Sequence, residues 1–177
     1  MKHMKRMLGV VAVLIAAATL SAFAAVPFAE GSSGKTIFEF ETMVGVSGSF
    51  LGAGGNLRGF GGGGAPWIIS EGEARLKDDG RLRVKVEGLV LDPAVVPPPL
   101  GGMNPAPFFF ATLSCLTTPT TVVNITTATV PATTTGDAEI DEVVSLPATC
   151  FAPLLFVRGS FSPTGASVGP WFAMAGF

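Results

Sequence analysis

The sequence predicts an all-β protein, an antiparallel β-sandwich of about eight or nine short strands with one disulfide. After the first thirty residues, several stretches alternate apolar and polar residues with the period of two that half-buried strands require. None keeps apolar residues at helical spacing. Clusters of Gly, Pro and Thr separate these stretches at short intervals, as in sandwiches built from hairpins.

The N-terminal segment precedes this fold. Residues 1–24 begin with the basic stretch MKHMKRM, continue as an apolar run and end at small residues, which is typical of a secretory signal peptide. We expect cleavage after Ala24 or after Ala29, and residues 25–177 to form a single domain. The alternative is an uncleaved anchor, because residues 8–25 are nearly long enough to span a membrane. Cleavage predicts a secreted or cell-surface protein without a stable membrane span.

Removal of this segment also limits the chemistry that the protein can perform. His3 is the only histidine, so the mature chain has none, which excludes Ser-His-Asp and Cys-His catalysis. Three of the 11 Lys and Arg residues are lost, which leaves 8 against 13 acidic residues and a net charge of −5. Nucleic-acid binding is not expected, because it depends on clustered basic residues.

The strands can be assigned in order from their composition, which is rich in aromatic and β-branched residues. The candidates are TIFEFETMVGV, PWIIS, the two arms of EGEARLKDDGRLRVKVEGLVL, PFFFATLSCL, TTVVNITTATV, AEIDEVVSLP, PLLFVRGSF and WFAMAGF.

The hairpin EGEARLKDDGRLRVKVE has a register that the sequence alone selects. A three-residue turn at 78–80 places all its apolar residues on one face, whereas a two-residue turn mixes the two faces. The predicted pairs are Leu76 with Leu82, Ala74 with Val84 and Gly72 with Val86.

Two segments are irregular. In GAGGNLRGFGGGGAPW, the residues Gly59, Gly61 and Gly64 match the spacing of a dinucleotide-binding turn. Such a turn must open a helix, whereas here Pro66 leads directly into a strand, so we expect no bound nucleotide. The second segment, DPAVVPPPLGGMNPAPF, predicts an exposed loop with polyproline character.

Cys115 and Cys150 are the only cysteines. In an exported protein an isolated pair most simply forms one disulfide, although two buried thiols are the alternative. A metal site is not expected from two sulfurs without histidine, and no cofactor is predicted.

The acidic residues offer two further functions. The pairs Glu39 and Glu41, Glu71 and Glu73, and Glu139 and Asp141 could serve a glycoside hydrolase. Asp137, Glu139 and Asp141 are weak calcium candidates, because oxygen ligands on loops suit that ion. Solvated strand faces and turns are the more usual explanation of both patterns.

A binding surface needs exposed aromatic or polar groups. Trp67 and Trp171 each follow a proline at the start of a strand, and Arg58 lies in the glycine-rich segment. We take Trp67, Arg58 and Trp171 as candidate ligand-facing residues, although burial in the core is the more usual fate of tryptophan.

The blocks FEFETMVGV, GGGGAPW, DGRLRVKVEGLVL, NPAPFFFATLSCL, VVNITT and PWFAMAGF give the mature chain a resemblance to a group of small exported bacterial β-proteins with no assigned activity. The resemblance implies export and a β fold but no substrate or site. We therefore expect a non-catalytic extracellular or cell-surface binding or structural module with an extracellular or envelope partner. The alternative is a carboxylate-dependent hydrolase acting on an extracellular polymer such as a glycan.

Overall fold

The structure of the protein is a computed structural model that describes residues 34–165 and 169–176. The expected signal segment 1–24 and the cleavage positions Ala24 and Ala29 lie outside the described residues. In the part of the chain that is described, no helix is long and apolar enough to cross a membrane.

The described residues contain strands and short 3-10 turns. Two of these turns, Gly48–Phe50 and Gly52–Gly55, precede the third strand. The strands are β1 (Thr36–Phe40), β2 (Val44–Gly45), β3 (Trp67–Ile68), β4 (Glu71–Lys77), β5 (Arg81–Glu87), β6 (Val90–Leu91), β7 (Phe108–Leu116), β8 (Val122–Thr126), β9 (Val130–Pro131), β10 (Ala138–Val143), β11 (Phe151–Ser160) and β12 (Trp171–Gly176).

These strands form two main sheets. One has four strands in the order β1-β4-β5-β10. The other has six, in the order β2-β12-β11-β7-β8, with β9 also paired to β7, and β3 pairs with β6 in a separate ribbon. Every pair of strands is antiparallel, which confirms the predicted all-β class with antiparallel sheets.

The β4–β5 hairpin has the predicted register. Its turn is closed by Gly80, whose φ of 87° suits glycine and leaves no room for a side chain beside the carbonyl of Val144. The burial pattern alternates strictly along both strands. The confirmed pairs are Leu76 with Leu82, Ala74 with Val84 and Gly72 with Val86.

Several predicted strands are divided in the structure. The stretch TIFEFETMVGV gives β1 in the four-stranded sheet and β2 in the six-stranded sheet. The chain leaves one sheet for the other at residues 41–43, where the side chain of Met43 is buried. A periodic pattern cannot show such a change of sheet, because residues on both sides of it still alternate.

Apolar side chains of both sheets meet in one hydrophobic core. Leu76, Leu82 and Val84 contribute from the four-stranded sheet, and Phe109 and Leu113 from the six-stranded sheet. The disulfide between Cys115 and Cys150 is present, with the two Cα atoms 4.8 Å apart, which confirms the predicted pairing. It joins the end of β7 to the residue before β11.

Candidate functional site

The charged face is the side of the four-stranded sheet that carries Glu39, Arg75, Arg83 and Asp141. The strand registers place these four residues in one row across the sheet. Arg75 forms an ion pair with Glu39, and Asp141 accepts hydrogen bonds from Arg81 at 2.8 Å and from Arg83 at 2.9 Å. The row therefore consists of two ion pairs in contact with water, with the two arginines side by side at its centre.

The acids considered for hydrolysis lie on exposed parts of the chain. Glu71 and Glu73 on β4, and Glu139 and Asp141 on β10, alternate with residues that are more buried. The hydrogen bond from Arg83, with a further one from Arg81, lowers the pKa of Asp141 below its ordinary value. A group held ionised in this way is unsuited to act as a general acid, which must keep its proton.

The three calcium candidates do not come together. Asp137 lies in the loop before β10, where it accepts hydrogen bonds from the backbone N–H of Gly88 at 2.9 Å and from the hydroxyl of Thr135 at 2.6 Å. Asp141 is paired with arginines, and Glu139 points to solvent. Among residues 34–165 and 169–176, no three His, Cys, Asp or Glu side chains are placed to hold a metal ion.

The two tryptophans are core residues, which corrects the expectation that they face a ligand. Trp67 is 4% exposed and Trp171 is 2% exposed. Trp67 stacks on Phe172 with the ring centroids 3.8 Å apart, and Trp171 packs against Phe156 at 5.9 Å. Large indole rings stabilise the fold by removing apolar area from water, and here other aromatic rings cover them.

The outer face is the side of the six-stranded sheet that carries Thr112, Ser114, Phe156 and Arg158. Phe109 and Leu113 point to the other side of the same sheet, because neighbouring side chains of a strand point to opposite faces. The outer face is nevertheless buried, since both faces of β7 are shielded from solvent.

The glycine-rich segment, residues 47–66, covers part of this face. Phe60 packs against Phe156 with the ring centroids 5.7 Å apart. Gly62 forms a parallel bridge with Trp171, beside a hydrogen bond from Gly63 N–H to the Trp171 carbonyl at 2.9 Å. A side chain at Gly62 would collide with the carbonyl of Phe50, so the close approach of Gly62 to Phe50 requires glycine.

Arg158 is a buried cation beneath this cover. Its guanidinium lies 3.9 Å from the centroid of the Phe60 ring and 4.9 Å from that of Phe110. It donates to the carbonyl of Gly169 at 3.0 Å and to the hydroxyl of Thr112 at 3.3 Å. Burial lowers the pKa of Arg158 to about 10, because removal from water disfavours the charged form.

Arg58 lies nearer the edge of the cover and is half-buried. Its Nη2 donates to the carbonyl of Ala152 at 3.0 Å, and its own carbonyl accepts from Asn124 Nδ2 at 3.1 Å. Arg58 has a φ of 56° and Ala152 a φ of 40°. Within the described residues these are the only non-glycine positions with positive φ, and they contact each other.

Next to this contact, the outer face becomes exposed and apolar. Leu116 pairs with Val122 on one side and with Phe151 on the other, and we call these three residues the apolar row. Phe151 is 58% exposed and Val122 is 40% exposed. The row is therefore an apolar strip that is half-buried at Leu116 and exposed at both of its outer residues.

Two residues of this region were not predicted. Arg158 has a visible signal, because it is the one charge in the otherwise apolar strand PLLFVRGSF. Ser114 has none, since a serine in a strand gives no sign of whether its hydroxyl will find a partner. Only Arg58 among the predicted ligand-facing residues lies at the surface.

Comparison of the chain with protein-family models, with curated proteins and with solved structures finds no match.

Proposed function

We propose that the protein is an exported, non-catalytic binding module built as a β-sandwich, and that it binds through the apolar row beside Arg58. The observation that carries this proposal is the contact between Arg58 and Ala152. Two residues in the disfavoured left-handed region hold each other in place at the edge of an exposed apolar surface. Such backbone strain costs roughly 1 kcal/mol or more per residue and is concentrated at functional sites.

The disulfide supports the exported part of the proposal. Disulfides persist in oxidising compartments and are rare where thiols are kept reduced. The pair Cys115 and Cys150 is also consistent with the resemblance of the sequence to small exported β-proteins.

The alternative hydrolase has less support. It needs two carboxyl groups that face each other across a cleft, one of them protonated. On the charged face, Glu39 is paired with Arg75, and the pKa of Asp141 is lowered by Arg83. These acids lie beside arginines on a strand face in contact with water, which favours a structural role for them.

The binding proposal can be tested with Phe151→Ser. We expect labelled wild-type protein to bind saturably to envelopes isolated from its producing cells, and the variant to bind about tenfold more weakly, because exposed aromatic residues often dominate binding energy. The matched control is Phe161→Ser, which removes a phenylalanine that is 75% exposed and lies just beyond the opposite end of β11. Equal binding by the Phe151 variant and the wild type would refute the proposal.

A further inference from the structure

We infer that the outer face beside Arg58 binds an amphipathic organic carboxylate, with the carboxylate at Arg58 and Ser114 and the apolar chain along the apolar row. This inference rests on the proposed function, because it names the class of ligand for the same surface.

Arg58 is held on both sides of β7. Its carbonyl accepts from Asn124, the partner of Ser114 on β8. Its guanidinium reaches Ala152 on β11, two residues before Leu154, the partner of Ser114 on that side. The side chain of Arg58 therefore crosses β7 close to Ser114.

Arg58 and Ser114 both have unused hydrogen-bonding capacity. Arg58 Nη1 and Ser114 Oγ are buried and have no hydrogen-bond partner among the described residues. Ser114 is fully buried, with 0% of its surface exposed. Buried polar groups are nearly always paired, so an unpaired Arg58 donor and an unpaired Ser114 hydroxyl on the same side of β7 indicate a missing hydrogen-bond partner.

The surroundings of Arg58 carry positive charge without a compensating acid. The six-stranded sheet and the glycine-rich segment contain Arg58 and Arg158 and no aspartate or glutamate. By contrast, Arg75, Arg81 and Arg83 on the other sheet are paired with carboxylates. An acceptor that brings its own negative charge would therefore complete the outer face.

The free groups of Arg58 and Ser114 favour a carboxylate over other anions. Arg58 offers one free nitrogen and Ser114 one hydroxyl, which matches the two oxygens of a carboxylate better than the larger oxygen set of a phosphate. Beside Arg58, Phe151 and the rest of the apolar row provide a surface for a hydrocarbon chain. The two features together specify an amphipathic carboxylate.

The test is calorimetric titration of the exported protein, purified from its producing cells, with octanoate. We expect saturable binding of octanoate, and affinities at least about tenfold lower for acetate, which lacks the chain, and for 1-octanol, which lacks the charge. Arg58→Asn should weaken octanoate binding about tenfold or more, because it removes a charged donor, while asparagine tolerates the positive φ. The matched control, Arg83→Asn on the charged face, should bind octanoate as the wild type does.

Ser114→Ala provides a second, independent variant. Its hydroxyl has no partner to lose, so its thermal stability should equal or exceed that of the wild type while octanoate binding falls. Equal binding of octanol and octanoate, unchanged binding in both variants, or no binding of octanoate overturns the inference. If envelope binding that depends on Phe151 persists in that case, the proposed function stands and only the carboxylate is wrong.

Discussion

The charged face and the outer face obey the same rule of alternation and differ in what covers them. On the charged face, water covers the alternate side chains, and Arg75 and Arg83 lie beside acids. On the outer face, the glycine-rich segment lies over the sheet, and Arg158 is surrounded by Phe60 and Phe110. Alternation thus fixes which residues share a face, but a distant part of the chain decides whether that face meets water.

The difference also extends to how each sheet is assembled. The centre of the four-stranded sheet is a local hairpin, β4–β5, with a three-residue turn. The six-stranded sheet pairs β7 with β11, and the cysteines at their ends are separated by 35 positions. Non-local pairing requires closure of a larger loop, which costs more conformational entropy.

The largest expected effect sharpens this contrast. Replacing both cysteines, Cys115→Ala with Cys150→Ala, should lower the free energy of unfolding by about 3 to 4 kcal/mol, because the cross-link no longer restricts the unfolded chain. Urea unfolding followed by tryptophan fluorescence measures the change. Reduction of the wild-type protein should reproduce the loss, and an unchanged midpoint in the double variant would show that the six-stranded sheet does not depend on its cross-link.

An intermediate effect distinguishes the two kinds of arginine. Arg158→Lys should lower the free energy of unfolding by about 1 to 2 kcal/mol, because a lysine cannot keep both the planar contact with Phe60 and the paired hydrogen bonds to Gly169. The matched variant Arg83→Lys keeps a cation beside Asp141 in contact with water and should change stability little. Equal losses in the two variants would remove the distinction between the faces.

The β4–β5 hairpin shows how far the sequence could predict this fold. Its register follows from the alternation of Leu76, Leu82 and their neighbours, and from a glycine in the turn, all within a short segment. The disulfide between Cys115 and Cys150 could likewise be predicted, because the sequence contains no other cysteine. Such features are decided locally or by elimination.

The environment of the tryptophans could not be predicted in the same way. The glycine-rich segment reaches Trp171 through backbone hydrogen bonds of Gly61 and Gly63, and this approach contributes to its burial. Glycine allows that approach but does not encode its target, since it has no side chain to match. For the same reason, the sequence placed Arg58 in a glycine-rich segment without showing its contact with Ala152.

The smallest expected effect is on the pH dependence of stability. It differs between the two faces because only the charged face carries carboxylates that titrate in acid. Asp141 has a folded pKa below its ordinary value of 3.8, because Arg83 and Arg81 stabilise the carboxylate. Its contribution to stability is therefore complete above about pH 4 and is lost as the pH falls through the lowered pKa. The outer face has no carboxylate to respond in this range.

Asp141→Asn should accordingly reduce the steepness with which the free energy of unfolding falls on acidification, measured by urea unfolding from about pH 2 to about pH 7. At neutral pH its effect should be small, since the ion pairs are in contact with water. The control is Glu71→Gln, which removes a carboxylate that lies opposite Glu87 and not opposite an arginine. If the stability of both variants falls on acidification as steeply as that of the wild type, protonation of Asp141 on the charged face does not affect folding. The acid sensitivity would then have to come from outside this row, for which Asp137 and its hydrogen bonds to Thr135 and Gly88 are the next group to substitute.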